Sequence, residues 1–99
     1  MSAVATPFLT RRRPRSFVEW RQLRDWGKLR NREANVPGYL LRIARAEAGF
    51  TQAELATKLG VSQQAVARAE RWTSNPTVEF MNRWVRACGR HLELTLQPL

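Results

Sequence analysis

Thr51-Gln52-Ala53-Glu54-Leu55-Ala56-Thr57-Lys58-Leu59-Gly60-Val61-Ser62-Gln63-Gln64-Ala65-Val66-Ala67-Arg68-Ala69-Glu70 reads as two short helices around one tight turn. Thr51 has the chemistry of an N-cap, and Glu54, three residues on, completes a capping box by reaching back to it. Leu55, Ala56 and Leu59 fall on one face and are expected to be buried. Gly60 makes the turn, Val61 plugs it and Ser62 caps the second helix. Ala53 and Ala56 are small where two helices must cross closely. The second helix opens on Ser62, Gln63 and Gln64, polar side chains suited to the edges of bases in a DNA major groove.

The surrounding chain points the same way. It has 99 residues and a formal net charge of +9. That length supports one domain with a small core, which association with a second copy would reinforce. Residues 1–38 hold nine Lys/Arg against three acids, and 39–99 hold eight against five. Such an excess suits a polyanion, nucleic acid first and an anionic membrane surface second. No apolar run approaches the ~20 residues of a membrane span, so the chain is read as soluble, with no membrane partner. Nor does the N-terminal region carry the apolar stretch of a secretory signal.

A lone Cys88 fits a reducing cytoplasm and reads as a small buried hydrophobe. His91 is the sole histidine, and no second Cys or His stands at metal-ligand spacing. Neither metal nor cofactor is expected. The chain has no His/Cys/Asp constellation and no phosphate-binding glycine loop, so no enzymatic activity is expected either.

Outward from the central stretch, four segments are expected. Residues 1–15, with Pro7, Pro14 and Arg11-Arg12-Arg13, form a flexible basic arm that grips DNA, wraps a partner or stays solvated. Residues 16–35 form an amphipathic helix that starts with a Ser16–Glu19 capping box. Phe17, Trp20, Leu23, Trp26 and Leu29 recur there every three residues, so the apolar stripe winds around the helix. Two tryptophans exceed the needs of a lone helix. They pack on the main domain, on a dimer mate or on another protein, core packing being the first choice.

Residues 36–90 form the helix-turn-helix domain. Asn35-Val36-Pro37-Gly38 breaks the chain before a helix at about Gly38–Ala48, which Gly49 stops. Leu40, Leu41, Ile43, Ala44 and Ala48 supply its inner face. Asn75-Pro76-Thr77 introduces a last helix over about 78–88, with Val78, Met81, Trp84, Val85 and Cys88 at helical spacing and Gly89 as its end. In residues 91–99, Leu92, Leu94 and Leu96 alternate with polar residues, the period of a half-buried strand over 92–97. One strand cannot satisfy its own backbone, and pairing with a second copy across a two-fold axis closes a dimer.

The segment from about Leu40 to Gly89 resembles the helix-turn-helix domain of the Cro/CI (XRE) repressors. The resemblance lies in Thr51-Gln52-x-Glu54-Leu55-Ala56, Leu59-Gly60-Val61-Ser62-Gln63, Val66 and Glu70. Gln63-Gln64 is similar to the start of the recognition helix in phage repressors. Asn75-Pro76-Thr77, Ala87-x-Gly89 and the Leu92–Leu96 tail look closer to HipB- and HigA-type antitoxins. The implied fold is all-α and lambda-repressor-like, with an added N-terminal helix and a short C-terminal strand pairing across a dimer.

The resemblance implies a DNA-facing set of Gln52, Ser62, Gln63, Gln64, Ala67, Arg68 and Arg71. Gln52 would meet a phosphate at the start of the backbone-crossing helix. Ser62, Gln63, Gln64 and Arg68 would face the groove. Gln can grip adenine and Arg guanine through two hydrogen bonds, each pairing contributing ~1–3 kcal/mol of discrimination. Arg45 and Glu70 match an inter-helix salt bridge that is structural. Outside the resemblance, Trp20, Leu23 and Trp26 are the candidate contacts if the N-terminal helix serves a partner protein rather than the core. Two departures stand out. Arg71-Trp72 occupies a place usually held by a small or turn-forming residue, and Ala67 and Ala69 leave the helix few side chains for direct reading.

The function implied is that of a dimeric repressor bound to an inverted repeat of double-stranded DNA, its two recognition helices ~34–36 Å apart. It would act as the antitoxin of a toxin–antitoxin pair in the bacterial cytoplasm, nucleoid-associated when bound. The alternatives are a stand-alone regulator with no toxin partner and an interaction module without DNA binding.

Overall fold

Among the residues that the computed structural model describes, 14–96 and 98, all regular structure is helical. The order is α1 (Phe17–Asp25), α2 (Asn31–Ala34), α3 (Pro37–Glu47), α4 (Gln52–Leu59), α5 (Gln63–Ala69) and α6 (Val78–Ala87). The chain divides into two compact units, residues 1–36 and 37–99.

In the 37–99 unit, the local signals at the helix ends act as expected. Thr51 Oγ1 accepts from the Glu54 backbone N–H at 3.1 Å, and the Thr51 N–H donates to Glu54 Oε1 at 2.8 Å. This reciprocal box satisfies two donors that a helix start leaves unpaired. The bond from the Thr51 N–H, and then that from its hydroxyl, hold the Glu54 carboxyl below the ordinary glutamate range. At the other end of α4, Gly60 is left-handed, with φ +71°. The Val61 N–H returns to Ala56 O at 3.0 Å and the Gly60 N–H to Thr57 O at 3.3 Å, a Schellman closure. Ser62 Oγ then accepts from the Ala65 N–H at 3.1 Å and starts α5.

These ends set α4 against α5, and α3 and α6 cover the apolar side of the pair. Leu41 and Ala44 of α3, Leu55, Ala56 and Leu59 of α4, Val66 and Ala69 of α5, and Met81, Trp84 and Val85 of α6 form one core. Trp84 is fully buried, and its indole N–H donates to Leu41 O at 2.9 Å. A large apolar body with a satisfied polar handle thus ties α6 to α3. Arg83 donates to Leu59 O at 2.7 Å, giving a terminal carbonyl of α4 a cationic partner.

Several expectations for this unit need correction. Gly38 does not break the chain: α3 starts at Pro37, whose missing N–H costs nothing in a first turn, and Gly38 is buried inside the helix. Leu40 and Ile43 are only half-buried, and Val78 is exposed at 55% because it opens α6 at the edge of the core. Cys88 is half-buried, and burial pushes its thiol above the ordinary range. Residues 91–96 form no strand in the single chain. The physical reason is the lack of a neighbouring ladder to pair with. Leu92 packs against the core, whereas Leu94 and Leu96 are exposed. Gln97 and Leu99 lie outside the described residues.

The 1–36 unit corrects a second expectation. The helix foreseen over 16–35 is two helices, because the chain turns at Gly27, with φ +68°. The Lys28 N–H closes on Leu23 O at 2.9 Å and the Gly27 N–H on Arg24 O at 3.0 Å, the same Schellman pattern that ends α4. Ser16 Oγ caps α1 by accepting from the Glu19 N–H at 3.1 Å. Trp20 is fully buried, stacks on Phe17 and donates its indole N–H to Glu33 O at 2.7 Å. Arg24 Nε donates to Ala34 O at 2.9 Å. Two α1 side chains thereby satisfy the terminal carbonyls of the four-residue α2, a helix too short to stand alone. The basic arm foreseen over residues 1–15 lies outside the described residues up to residue 13.

Candidate nucleic-acid interface

The α5 helix divides cleanly into two sides. Val66 and Ala69 are buried in the core, while Ser62, Gln63, Gln64 and Arg68 are exposed and Ala67 is half-buried. Burial of the two apolar residues fixes the rotation of the helix, and its 3.6-residue period then turns the polar residues outward. Gln63, Gln64 and Ala67 line one concavity together with Gln52, the first residue of α4. The turn at Gly60 brings Gln52 together with residues of the next helix. Arg71 is exposed just beyond the end of α5.

Beneath this surface lies an ion pair. Arg45 on α3 and Glu70 at the end of α5 meet through two bonds, from Arg45 Nε to Glu70 Oε2 and from Arg45 Nη2 to Glu70 Oε1 at 3.0 Å. Their side chains are 14% and 4% exposed. Arg45 also donates from Nη1 to Phe50 O at 2.8 Å, in the link between α3 and α4. The planar guanidinium fork suits this combination of carboxylate and carbonyl. Gln52 joins the network by donating Nε2 to Glu70 Oε1 at 3.0 Å. The sequence reading placed Gln52 at a phosphate; in the structure one of its amide hydrogens is held by Glu70.

Arg71-Trp72, the departure noted in the sequence, has a structural explanation. Trp72 is half-buried, and its ring meets Tyr39 of α3 edge to face at 5.4 Å. The backbone reaches this position because Gly38 has no side chain. A Cβ at Gly38 would sit 2.1 Å from Arg71 O and 2.8 Å from Ala69 O. Ser74 Oγ donates to Ala69 O at 2.7 Å and the Ser74 N–H to Arg71 O at 3.1 Å, which completes the turn after α5. Sequence reasoning missed Gly38 and Ser74 as supports of this loop. Only the unusual glycine in a first helical turn hinted at a close backbone approach.

Of the three residues expected to contact a partner protein, Trp20 is fully buried and has no face to offer. Leu23 is half-buried, and Trp26 is exposed at 59%, with Lys28 Nζ 5.5 Å from its ring centre. No helix among the described residues is long and apolar enough to cross a membrane.

Comparison with known proteins gives the same picture for the 37–99 unit. A helix-turn-helix family model matches residues 41–94. An uncharacterized HTH-type transcriptional regulator of Methanothermobacter thermautotrophicus is 40% identical over 55 residues, 54% of this chain and 80% of the relative. No solved structure matches.

Proposed function

The chain belongs to the XRE-type helix-turn-helix family of transcriptional regulators, and from that premise we propose that it is a sequence-specific repressor that reads an inverted repeat as a dimer. The observation that carries this reading is the exposed row Ser62, Gln63, Gln64 and Arg68 on a helix whose other side is locked into the core. Gln63 and Gln64 suit adenine edges and Arg68 suits guanine. Gln52 and Arg71 flank the row and serve the backbone, where contacts set register rather than sequence. Ala67 leaves room between the readers. Leu92, Leu94 and Leu96 would supply the pairing strand of the dimer, with two exposed leucines per copy as its apolar contribution.

The test is selection of duplexes from a random library. An enriched inverted repeat with half-sites about one helical turn apart supports the proposal. Enrichment of a single half-site, or of nothing, overturns it. A stand-alone regulator and the antitoxin of a toxin–antitoxin pair both accommodate this surface. The exposed Val18 of α1 and Trp26 at its C-cap favour a protein partner for the 1–36 unit. Copurification from the native host with the neighbouring genes intact separates the two: a stoichiometric partner encoded beside this chain supports the antitoxin role, and a lone dimer supports the stand-alone regulator.

A further inference from the structure

The contact between Glu70 and Gln52 goes beyond a structural salt bridge. Glu70 is 5% exposed, and its Oε1 accepts both from Arg45 Nη2 and from Gln52 Nε2, each at 3.0 Å. An ionised carboxylate only accepts, so the Gln52 amide must present its NH2 group to Glu70 rather than its oxygen. The amide has two N–H donors and the carboxylate takes one. Gln52 is half-buried and lines the same concavity as Gln63, Gln64 and Ala67, and Glu70 leaves its amide one further N–H. Without Glu70, the amide could turn about its last bond and offer its oxygen, an acceptor that repels a phosphate.

We propose that Glu70, clamped by Arg45, is a positioning residue for DNA binding: it fixes the Gln52 amide so that the remaining N–H meets a phosphate of the bound duplex. This rests on the DNA-binding reading given above. The Arg45–Glu70 pair then has two tasks. It joins α3 to the end of α5, and through Gln52 it presets a donor at the start of α4. Presetting removes an ordering cost that a free glutamine would incur on binding. A phosphate contact carries no sequence information, so its effect is the same on every duplex.

The experiment is a double-mutant cycle with Gln52→Ala and Glu70→Gln in the full chain. The probe is a labelled duplex of arbitrary sequence and roughly three helical turns, at low salt, with folding of each variant checked by circular dichroism. Each single variant is expected to weaken binding roughly tenfold, the scale of a hydrogen bond to a charged group. The double variant is expected to bind within about twofold of Gln52→Ala alone, because Glu70 acts through Gln52. Multiplied losses, or a Glu70→Gln chain that binds like the wild type, overturn the proposal while leaving DNA binding intact. A wild-type chain that binds no duplex overturns the functional reading as well.

Wild-type protein provides a second measurement that does not require the Glu70 variant to fold. The two side-chain amide protons of Gln52, assigned by their loss in Gln52→Ala, are expected to give separate resonances. Addition of the duplex should move chiefly one of them. Equal movement of both, or of neither, refutes the positioning role.

Discussion

Glu70 and Gly38 show at the residue scale how little exposed surface a decisive side chain needs. Glu70 is almost buried, its carboxylate paired with the Arg45 guanidinium and hydrogen-bonded by Gln52. Glu70→Ala would leave the Arg45 guanidinium without its carboxylate, and a loss of about 3–5 kcal/mol is expected, measured as a shifted urea midpoint. A midpoint equal to that of the wild type would show that the pair contributes nothing. Gly38→Ala is expected to destabilise by about 1–3 kcal/mol, because a methyl group 2.1 Å from Arg71 O forces the backbone to move. Gln64→Ala should do the opposite: unchanged thermal unfolding, with binding to the selected repeat weakened by ~1–3 kcal/mol and binding to an unrelated duplex kept. Equal losses on both duplexes would remove Gln64 from the reading set. Glu70 and Arg45 were legible as a pair from the resemblance alone. Gln52 as their third member was not, because that bond joins residues 18 positions apart across a turn.

Helix ends, at the scale of the element, were the most legible part of the chain, since capping depends on a few neighbouring residues. Thr51, Ser62 and Thr77 each cap as their position suggests, with Thr77 Oγ1 accepting from the Phe80 N–H at 3.0 Å. Gly27 was passed over because the three-residue recurrence of Phe17, Trp20, Leu23, Trp26 and Leu29 suggested one long helix. That recurrence does not fit a 3.6-residue period, and the helix stops at the left-handed Gly27. The Thr51–Glu54 box makes a pH-dependent prediction. The folded carboxyl of Glu54 titrates below its unfolded value. Its stabilisation is therefore present above the ordinary glutamate range and lost as pH falls through the lower, folded value. Thr51→Ala should lower the melting temperature most at neutral pH, and the gap to the wild type should narrow in acid. A gap that is constant across that range would show the box to be energetically silent.

Charge and association belong to the whole molecule. Residues 1–36 hold nine Lys/Arg against three acids, and the 37–99 unit holds eight against five. Bound duplex should be released steeply by salt, with a slope of about −0.9 in log–log form for each phosphate neutralised. Deleting residues 1–36 is expected to flatten that slope while preserving the preference for the selected repeat. An unchanged slope would show that the basic unit does not touch the backbone. Deleting residues 92–99 is expected to shift the protein toward monomer in sedimentation and to weaken binding to the full repeat more than to a half-site. A truncated chain that remains dimeric would refute pairing through Leu92, Leu94 and Leu96.

The sequence alone determined where α4 begins and ends, where α5 and α6 begin, and which residues of α4 enter the core. Those features follow from short-range rules: a capping hydroxyl, a left-handed glycine and an apolar period. The resemblance implied that Ser62, Gln63, Gln64 and Arg68 share one side of α5, and the structure leaves them exposed opposite the buried Val66. Only the tertiary structure decided that Gln52 donates to Glu70, that Trp72 rests on Tyr39 and that Gly38 makes room for the backbone after α5. Each of these joins residues more than a dozen positions apart. Such contacts depend on the packing of whole helices, and no local pattern of residues encodes them.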